Sequence, residues 1–395
     1  MAEDTATARD GFAAFDRISV DELRQRKTAK WSYYGEDVLA AWVAEMDFPL
    51  APVVRTALHE AIDRGCTGYP PLPEHFGLPA AVTGWLRRNT GFEVDPGRVR
   101  ILPDTLRGMR LAIETFSAPD QSVVILTPSY PPFFEVARAA GRQVIEVPMI
   151  IKGTGQLTFD LDGIGAALRA GASTVLLCNP HNPLGRVFTR RELGALAAVV
   201  QEHGARVVSD ELHAPLVYPD SVYTPYASVS PEAAGHSVTL LSASKGWNLP
   251  GLKCAELLLT NEADLEPWSR LHFLQTSGAS ILGMVANAAA FEAGDAWRSE
   301  LVNYLDGNRR LLGDLLTKHL PQVGYTMPQA TYLAWLDCTA LGQEKPADFF
   351  LKRAKVALTE GAPFGAPGQG FARLNFAAPR ALLTDIVKRM AAAIP

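Results

Sequence analysis

The chain has 395 residues, 48% of them hydrophobic and 20% charged, a mix that supports a folded core and argues against disorder. Its 37 Lys and Arg against 42 Asp and Glu give a net charge of −5, which argues against a surface built to coat nucleic acid. No apolar run is long enough to span a bilayer. The polar, acidic residues 1–12 lack the order of a secretion signal, and Cys66, Cys178, Cys254 and Cys338 show no spacing for a disulfide framework or a zinc site. The expectation is a cytoplasmic globular protein without a metal centre. Its length suits two or three domains, or one large α/β domain with a smaller companion.

Residues 1–50 form an arm of irregular stretches that ends in AWVAEMDFP at 41–49. From about 95 to 260, short runs of Val, Ile and Leu alternate with helical segments. The runs at 123–126, 144–147, 174–177, 206–208 and 238–241 have the length and character of buried parallel strands. A helix is predicted from 133 to 140, stopped by Gly141. Thr189 with Glu192 predicts a capping box ahead of another helix, stopped by Gly204. Such alternation implies a parallel sheet with right-handed crossovers. Beyond about 290 the spacing predicts a long helix over 300–319, interrupted by Gly307 and Gly313. A strand at 332–336, a helix at 348–358 and a Gly/Pro loop at 361–370 follow. The expected division is an arm at 1–50, a large domain at 51–290 and a C-terminal part at 291–395, the arm and C-terminal part making a smaller α+β domain.

In an open parallel sheet, ligands bind beyond the carboxyl ends of the strands. Four of the runs lead at once into polar or aromatic residues. TPSYPP (127–132), CNPHNPLGR (178–186), SDELH (209–213) and SASKGWN (242–248) occupy these places. Tyr130, Asn182, Asp210, Ser242, Ser244 and Lys245 are therefore expected to face one crevice. A flat ring would stack on Tyr130. A ring nitrogen that must stay protonated would take Asp210. A phosphate would take Ser242 and Ser244 with a cation and helix N-terminal amides. An aldehyde would take the amine of Lys245. Pyridoxal 5′-phosphate (PLP) meets each demand.

SASK, NPHNPLGR, SDELH and FARLNFA (371–377), in this order and spacing, resemble the motifs of fold-type I PLP enzymes of the aminotransferase class I/II superfamily. The likeness covers nearly the whole chain from about Lys30. Lys30 with Trp31, AEMDF (44–48), GYP (68–70) and DELH (210–213) narrow it to the MalY/PatB branch of cystathionine β-lyase-like C–S lyases. The resemblance implies the PLP-dependent transferase fold: a large α/β domain with a mostly parallel, seven-stranded sheet flanked by helices, and a smaller α+β domain. It implies that Lys245 forms the imine and moves the substrate Cα proton. Asp210 would pair with the pyridinium nitrogen and Tyr130 would stack on the ring. Asn182 would bond the ring hydroxyl beside the substrate, with His213 contacting the same hydroxyl. Ser242, Ser244, the amides of Thr105 and Leu106, and Lys253 in place of an arginine would bind phosphate. Tyr69 would reach the phosphate of a neighbouring subunit. Arg373 would clamp the substrate α-carboxylate, with Ala44 adding a backbone amide. Asp104 and Arg107 depart from the small residues of many relatives.

The implied reaction is β-elimination from an S-substituted L-cysteine, such as cystathionine or a thiol-carrier conjugate. The products are a thiol, pyruvate and ammonia. A homodimer without nucleic-acid or membrane partners is implied. The same lysine, aspartate and arginine also serve transamination and oxidative or decarboxylating variants, and a PLP-binding regulatory protein is an alternative of another class. Taken singly, the residues have plainer readings. Lys245 and Lys253 could be surface charges, and Asp210 and Glu211 a helix cap. His213 could be a core histidine, and Asn182, Tyr130, Ser242 and Ser244 turn residues. Tyr69 could be packing, Arg373 an ordinary ion-pair partner, and Glu45 and Asp47 structural. Trp31, Trp42 and Trp247 fit core or interface packing.

Overall fold

A computed structural model of the chain describes residues 14–71, 73–152 and 156–394; the polar start at 1–12 lies outside them. The chain divides into two compact units. The large unit holds residues 51–180 and 187–295; the small unit holds the chain up to 50, residues 181–186 and everything from 296 onward.

The large unit is built on seven strands: β1 (Val99–Leu102), β2 (Ser122–Thr127), β3 (Val144–Pro148), β4 (Ala172–Cys178), β5 (Arg206–Asp210), β6 (Ser237–Leu241) and β7 (Ala255–Leu259). Their order is β1-β7-β6-β5-β4-β2-β3. The five strands from β2 to β6 pair in parallel, as the alternating pattern requires, and β7 runs antiparallel to both β6 and β1. Helices α1 (Pro52–Asp63), α2 (Leu78–Thr90), α3 (Thr105–Phe116), α4 (Pro131–Ala139), α5 (Leu161–Arg169), α6 (Arg190–Glu202) and α7 (Ile281–Ala293) accompany it. Thr189 starts α6 with a complete capping box, its hydroxyl accepting from the Glu192 amide. Val123, Ile125, Leu240 and Leu257 pack with Met109, Ile113 and Phe133 of α3 and α4 in one core cluster. Burial of each such side chain contributes roughly 1.5–3 kcal/mol. Gly108 lets α3 approach the sheet closely: a Cβ there would lie 2.6 Å from Leu240 Cδ2.

The small unit carries a four-stranded antiparallel sheet of β8 (Gly324–Tyr325), β9 (Leu333–Asp337), β10 (Thr359–Glu360) and β11 (Phe371–Asn375), in the order β8-β9-β11-β10. Its helices are α8 (Asp295–His319, whose first residue belongs to the large unit), α9 (Pro346–Ala354) and α10 (Arg380–Ala392). Two sequence expectations are corrected here. Helix α8 runs unbroken through Gly307 and Gly313, because burial of Leu301, Leu305, Leu312 and Leu316 outweighs the cost of about 1 kcal/mol per helical glycine. The helix expected over 348–358 ends at Ala354. Lys355 takes a left-handed conformation (φ 55°), and Val356–Ala357 then pairs in parallel with Leu39–Ala40.

The arm is more ordered than irregular stretches would be. It contains helices Val20–Gln25 and Ala29–Ser32, and its end is fixed by buried polar contacts. Lys30 Nζ lies 2.8 Å from Asp47 Oδ2, and Trp31 Nε1 donates to Asp47 Oδ1 at 2.7 Å. Asn375 Nδ2 donates to the carbonyls of Val43 and Glu45, and the Tyr332 hydroxyl donates to the carbonyl of Ala44. The KW and AEMDF motifs are thus two sides of one buried clasp. Among the described residues, no helix is long and apolar enough to cross a membrane.

Candidate active site

In the large unit the chemistry gathers at the carboxyl ends of β5 and β6. Asp210 is the last residue of β5, in register with Cys178 and Leu240 of the flanking strands, and is 5% exposed. Burial raises its carboxyl pKa to about 6; the Leu212 amide, donating at 3.1 Å, and the Lys245 charge pull in the opposite direction. Lys245 sits half-buried on the one-turn helix Ala243–Gly246 that follows β6. Neighbouring strands of a parallel sheet thereby bring a carboxylate and an amine to the same edge.

Behind Asp210 lies a carboxylate to which the sequence reading gave no catalytic role. Glu211 is fully buried; it accepts from Ser209 Oγ at 2.7 Å, from the Tyr226 amide at 2.9 Å and from the Tyr223 hydroxyl. Burial raises its pKa to about 7. These contacts make it the anchor of the turn after β5. The DE pair in the sequence was its only signal.

The two serines differ. Ser242 Oγ donates to the Cys254 carbonyl at 2.8 Å and accepts from the Ser244 amide at 3.0 Å, so its hydroxyl closes the turn that carries Lys245. Ser244 is half-buried. Asn287 of α7 steadies the same turn, its Oδ1 accepting from the Ala243 amide at 2.9 Å.

Thr105 and Leu106 open α3, capped by Asp104, whose Oδ1 accepts from the Arg107 amide at 2.8 Å. Asp104 Oδ2 also lies 3.3 Å from Lys253 Nζ, so the unusual aspartate both caps the helix and balances the lysine. Arg107 is held by the Gln275 carbonyl at 3.1 Å. Asp104, Leu106, Arg107 and Lys253 share one open cavity of about 570 Å³ with Pro132 of α4. Tyr130 precedes α4 and meets Phe133 edge-on, their ring centroids 6.0 Å apart. His213 is buried at the turn after β5, and Tyr69 is fully exposed.

In the small unit, Arg373 of β11 is the centre. It is 5% exposed. Its Nη1 donates to Asn182 Oδ1 at 3.0 Å, and its Nη2 donates to the Trp42 carbonyl and to Thr359 Oγ1, each at 3.2 Å. The Phe364 ring lies 5.3 Å from its Cζ. Asn182 and Ala44 belong to this unit as well, Ala44 within the clasped end of the arm. Thr359 was not foreseen, because a threonine in a short strand carries no signal of its own.

These residues fit PLP. A buried carboxylate whose pKa is raised gains from a cationic partner such as a pyridinium nitrogen. An amine on the turn after the adjoining strand suits an aldehyde, and the start of a twelve-residue helix beside Lys253 suits a phosphate. Among the described residues, no group of three or more His, Cys, Asp or Glu could hold a metal ion.

The family described as aminotransferase class I and II matches residues 42–390 of this chain. The chain belongs to that family and is a PLP-dependent enzyme of its carbon–sulfur lyase branch. It is 38% identical over 381 residues to the cystathionine beta-lyase of Corynebacterium glutamicum, an alignment covering 95% of this chain and 99% of that one. It is 33% identical to the cystathionine beta-lyase PatB of Bacillus subtilis, covering 95% of this chain and 100% of the relative. It superposes with a TM-score of 0.90 on the PLP-bound C–S lyase of Staphylococcus hominis, at 28% identity over 96% of this chain and 98% of that one.

Proposed function

We propose that the enzyme cleaves the Cβ–S bond of an S-substituted L-cysteine, cystathionine being the first candidate, by β-elimination. Water is consumed, and a thiol, pyruvate and ammonia are released. When bound, PLP supplies the electron sink that makes the Cα–H bond of an amino acid acidic. The protein residues do the rest. Asp210 keeps the pyridine nitrogen protonated, through the charge that its buried site favours pairing. Tyr130 covers the ring face, and Asn182 and His213 address the ring hydroxyl. Ser244, Lys253 and the amides of Thr105 and Leu106 take the phosphate, while Ser242 holds the turn beneath them. Arg373 receives the α-carboxylate as a planar fork, with the Ala44 amide beside it. The Lys245 amine takes the Cα proton, and the electrons left on Cα expel the thiolate from Cβ.

The observation that carries this reading is Asp210 at the end of β5, buried, with its pKa raised to about 6 and lowered only in part by Lys245 on the neighbouring turn. Purified, PLP-loaded protein incubated with L-cystathionine tests it: pyruvate and thiol are expected in equal amounts. Amino transfer to an added 2-oxo acid, without pyruvate release, would assign the transaminase reaction instead.

A homodimer is part of the proposal. Tyr69 is 100% exposed, and Ile62, Phe273 and Leu274 of the same unit are 55%, 66% and 65% exposed. Large apolar side chains left open in this way suit a second copy, and Tyr69 acquires its phosphate role only there. Sedimentation of the active species as a monomer would remove this part.

A further inference from the structure

We propose that Thr359 is a positioning residue for substrate carboxylate recognition, its hydroxyl holding the Arg373 guanidinium in the plane that a carboxylate needs. The inference rests on the carboxylate role given to Arg373 above.

Thr359 and Arg373 are direct partners across β10 and β11, so their side chains rise side by side from the sheet. The Thr359 hydroxyl does two jobs at once. Its Oγ1 accepts from Arg373 Nη2 at 3.2 Å and donates to the Trp42 carbonyl at 2.7 Å. That carbonyl accepts from the same Nη2 at 3.2 Å. The three groups form a closed triangle that ties the end of the arm, β10 and β11 together. At the other end of the guanidinium, Asn182 Oδ1 holds Nη1 at 3.0 Å. Three acceptors, two on Nη2 and one on Nη1, set the rotation of a planar group about its long stem. A bidentate carboxylate contact depends on that rotation far more than a point-charge contact does.

Only a hydroxyl can fill this place. Valine has the same shape but neither accepts from Nη2 nor donates to the Trp42 carbonyl. Serine does both. The plainer reading makes Thr359 a strand residue that merely fastens the arm, and it predicts a general loss of order rather than a selective loss of carboxylate recognition.

The test uses the PLP-loaded enzyme and two probes without a Cβ leaving group, L-alanine and ethylamine, which differ only in the carboxylate. Binding is read from the change in cofactor absorbance, so no elimination is required. Thr359→Val is expected to weaken L-alanine binding about tenfold, the size of one lost hydrogen bond to a charged group, and to leave ethylamine binding unchanged. Thr359→Ser is expected to restore the wild-type ratio of the two affinities. In turnover the valine variant raises KM with kcat nearly constant. Thr359→Ala is read the same way if the valine variant does not fold. Equal weakening of both probes, or wild-type L-alanine binding in the valine variant, overturns the proposal. Failure of wild-type enzyme to release pyruvate from cystathionine would instead sink the lyase reading and leave this result standing.

Discussion

Replacement of Asp210 by asparagine separates the demands of the site from those of the fold. The Asp210 carboxyl has its pKa raised from 3.8 to about 6 by burial. A shift of about two units corresponds to ~3 kcal/mol by which the cofactor-free protein resists ionising this group. The sign follows from linkage: a raised folded-state pKa is unfavourable to the fold above about pH 6, and its effect vanishes below about pH 4, where the group is protonated in both states. Asparagine keeps an oxygen for the Leu212 amide and carries no charge, and removing the Asp210 charge also eases the ionisation of neighbouring Glu211. The cofactor-free Asp210→Asn protein should therefore be more stable than wild type at pH 8, by up to ~3 kcal/mol, and the two should converge at pH 4. With PLP the order reverses in function. Loss of an adjacent opposite charge lowers the pKa of the ring nitrogen by 1–3 units, which predicts roughly a 10- to 1000-fold fall in pyruvate release at fixed pH. Thermal melts of cofactor-free protein at the two pH values, with pyruvate assays of the loaded forms, make the measurement. A variant that melts below wild type at pH 8, or one that keeps full activity, refutes the reasoning.

Lys245→Ala should abolish turnover and leave no borohydride-fixed cofactor on the peptide spanning position 245, which mass mapping reads directly. Full cellular function in that variant would favour the regulatory alternative. Arg373→Lys keeps the charge but loses the fork, so KM should rise by at least tenfold, about 1.4 kcal/mol, more than kcat falls; steady-state kinetics checks this. Gly108→Val would drive its side chain into Leu240, 2.6 Å from where a Cβ would lie, and should cost about 1–3 kcal/mol in denaturant unfolding with little effect on cofactor chemistry in the fraction that folds.

Much of the parallel sheet was legible because its strands carry short runs rich in buried Val, Ile and Leu and because parallel strands place their chemistry just past their ends. The runs before Tyr130, Asp210 and Ser242 are each buried strands, and the residues after them can point only toward the sheet edge. The antiparallel strands β1 and β7 were missed for the converse reason. Arg100 and Glu256 are the second residues of these strands, and a strand of four or five residues interrupted by a charge has no period to read. Capping at Thr189 was local and therefore visible; the end of α9 at Lys355 was not, since it is set by pairing of Val356–Ala357 with a strand more than 300 residues earlier.

By itself, then, the order of motifs along the chain determined the sheet and the cofactor, and it marked Lys245, Asp210 and Arg373 as the candidates for the chemistry proposed above. Only the tertiary structure decided how those groups are held. Trp42 and Asn182 reach Arg373 from 331 and 191 residues away, and Asp104 reaches Lys253 from 149. Ser242 turns inward to the Cys254 carbonyl while Ser244 stays half-buried. A side chain's chemistry is written in its type, but its hydrogen-bond partners are chosen by chain segments that meet only when the core packs.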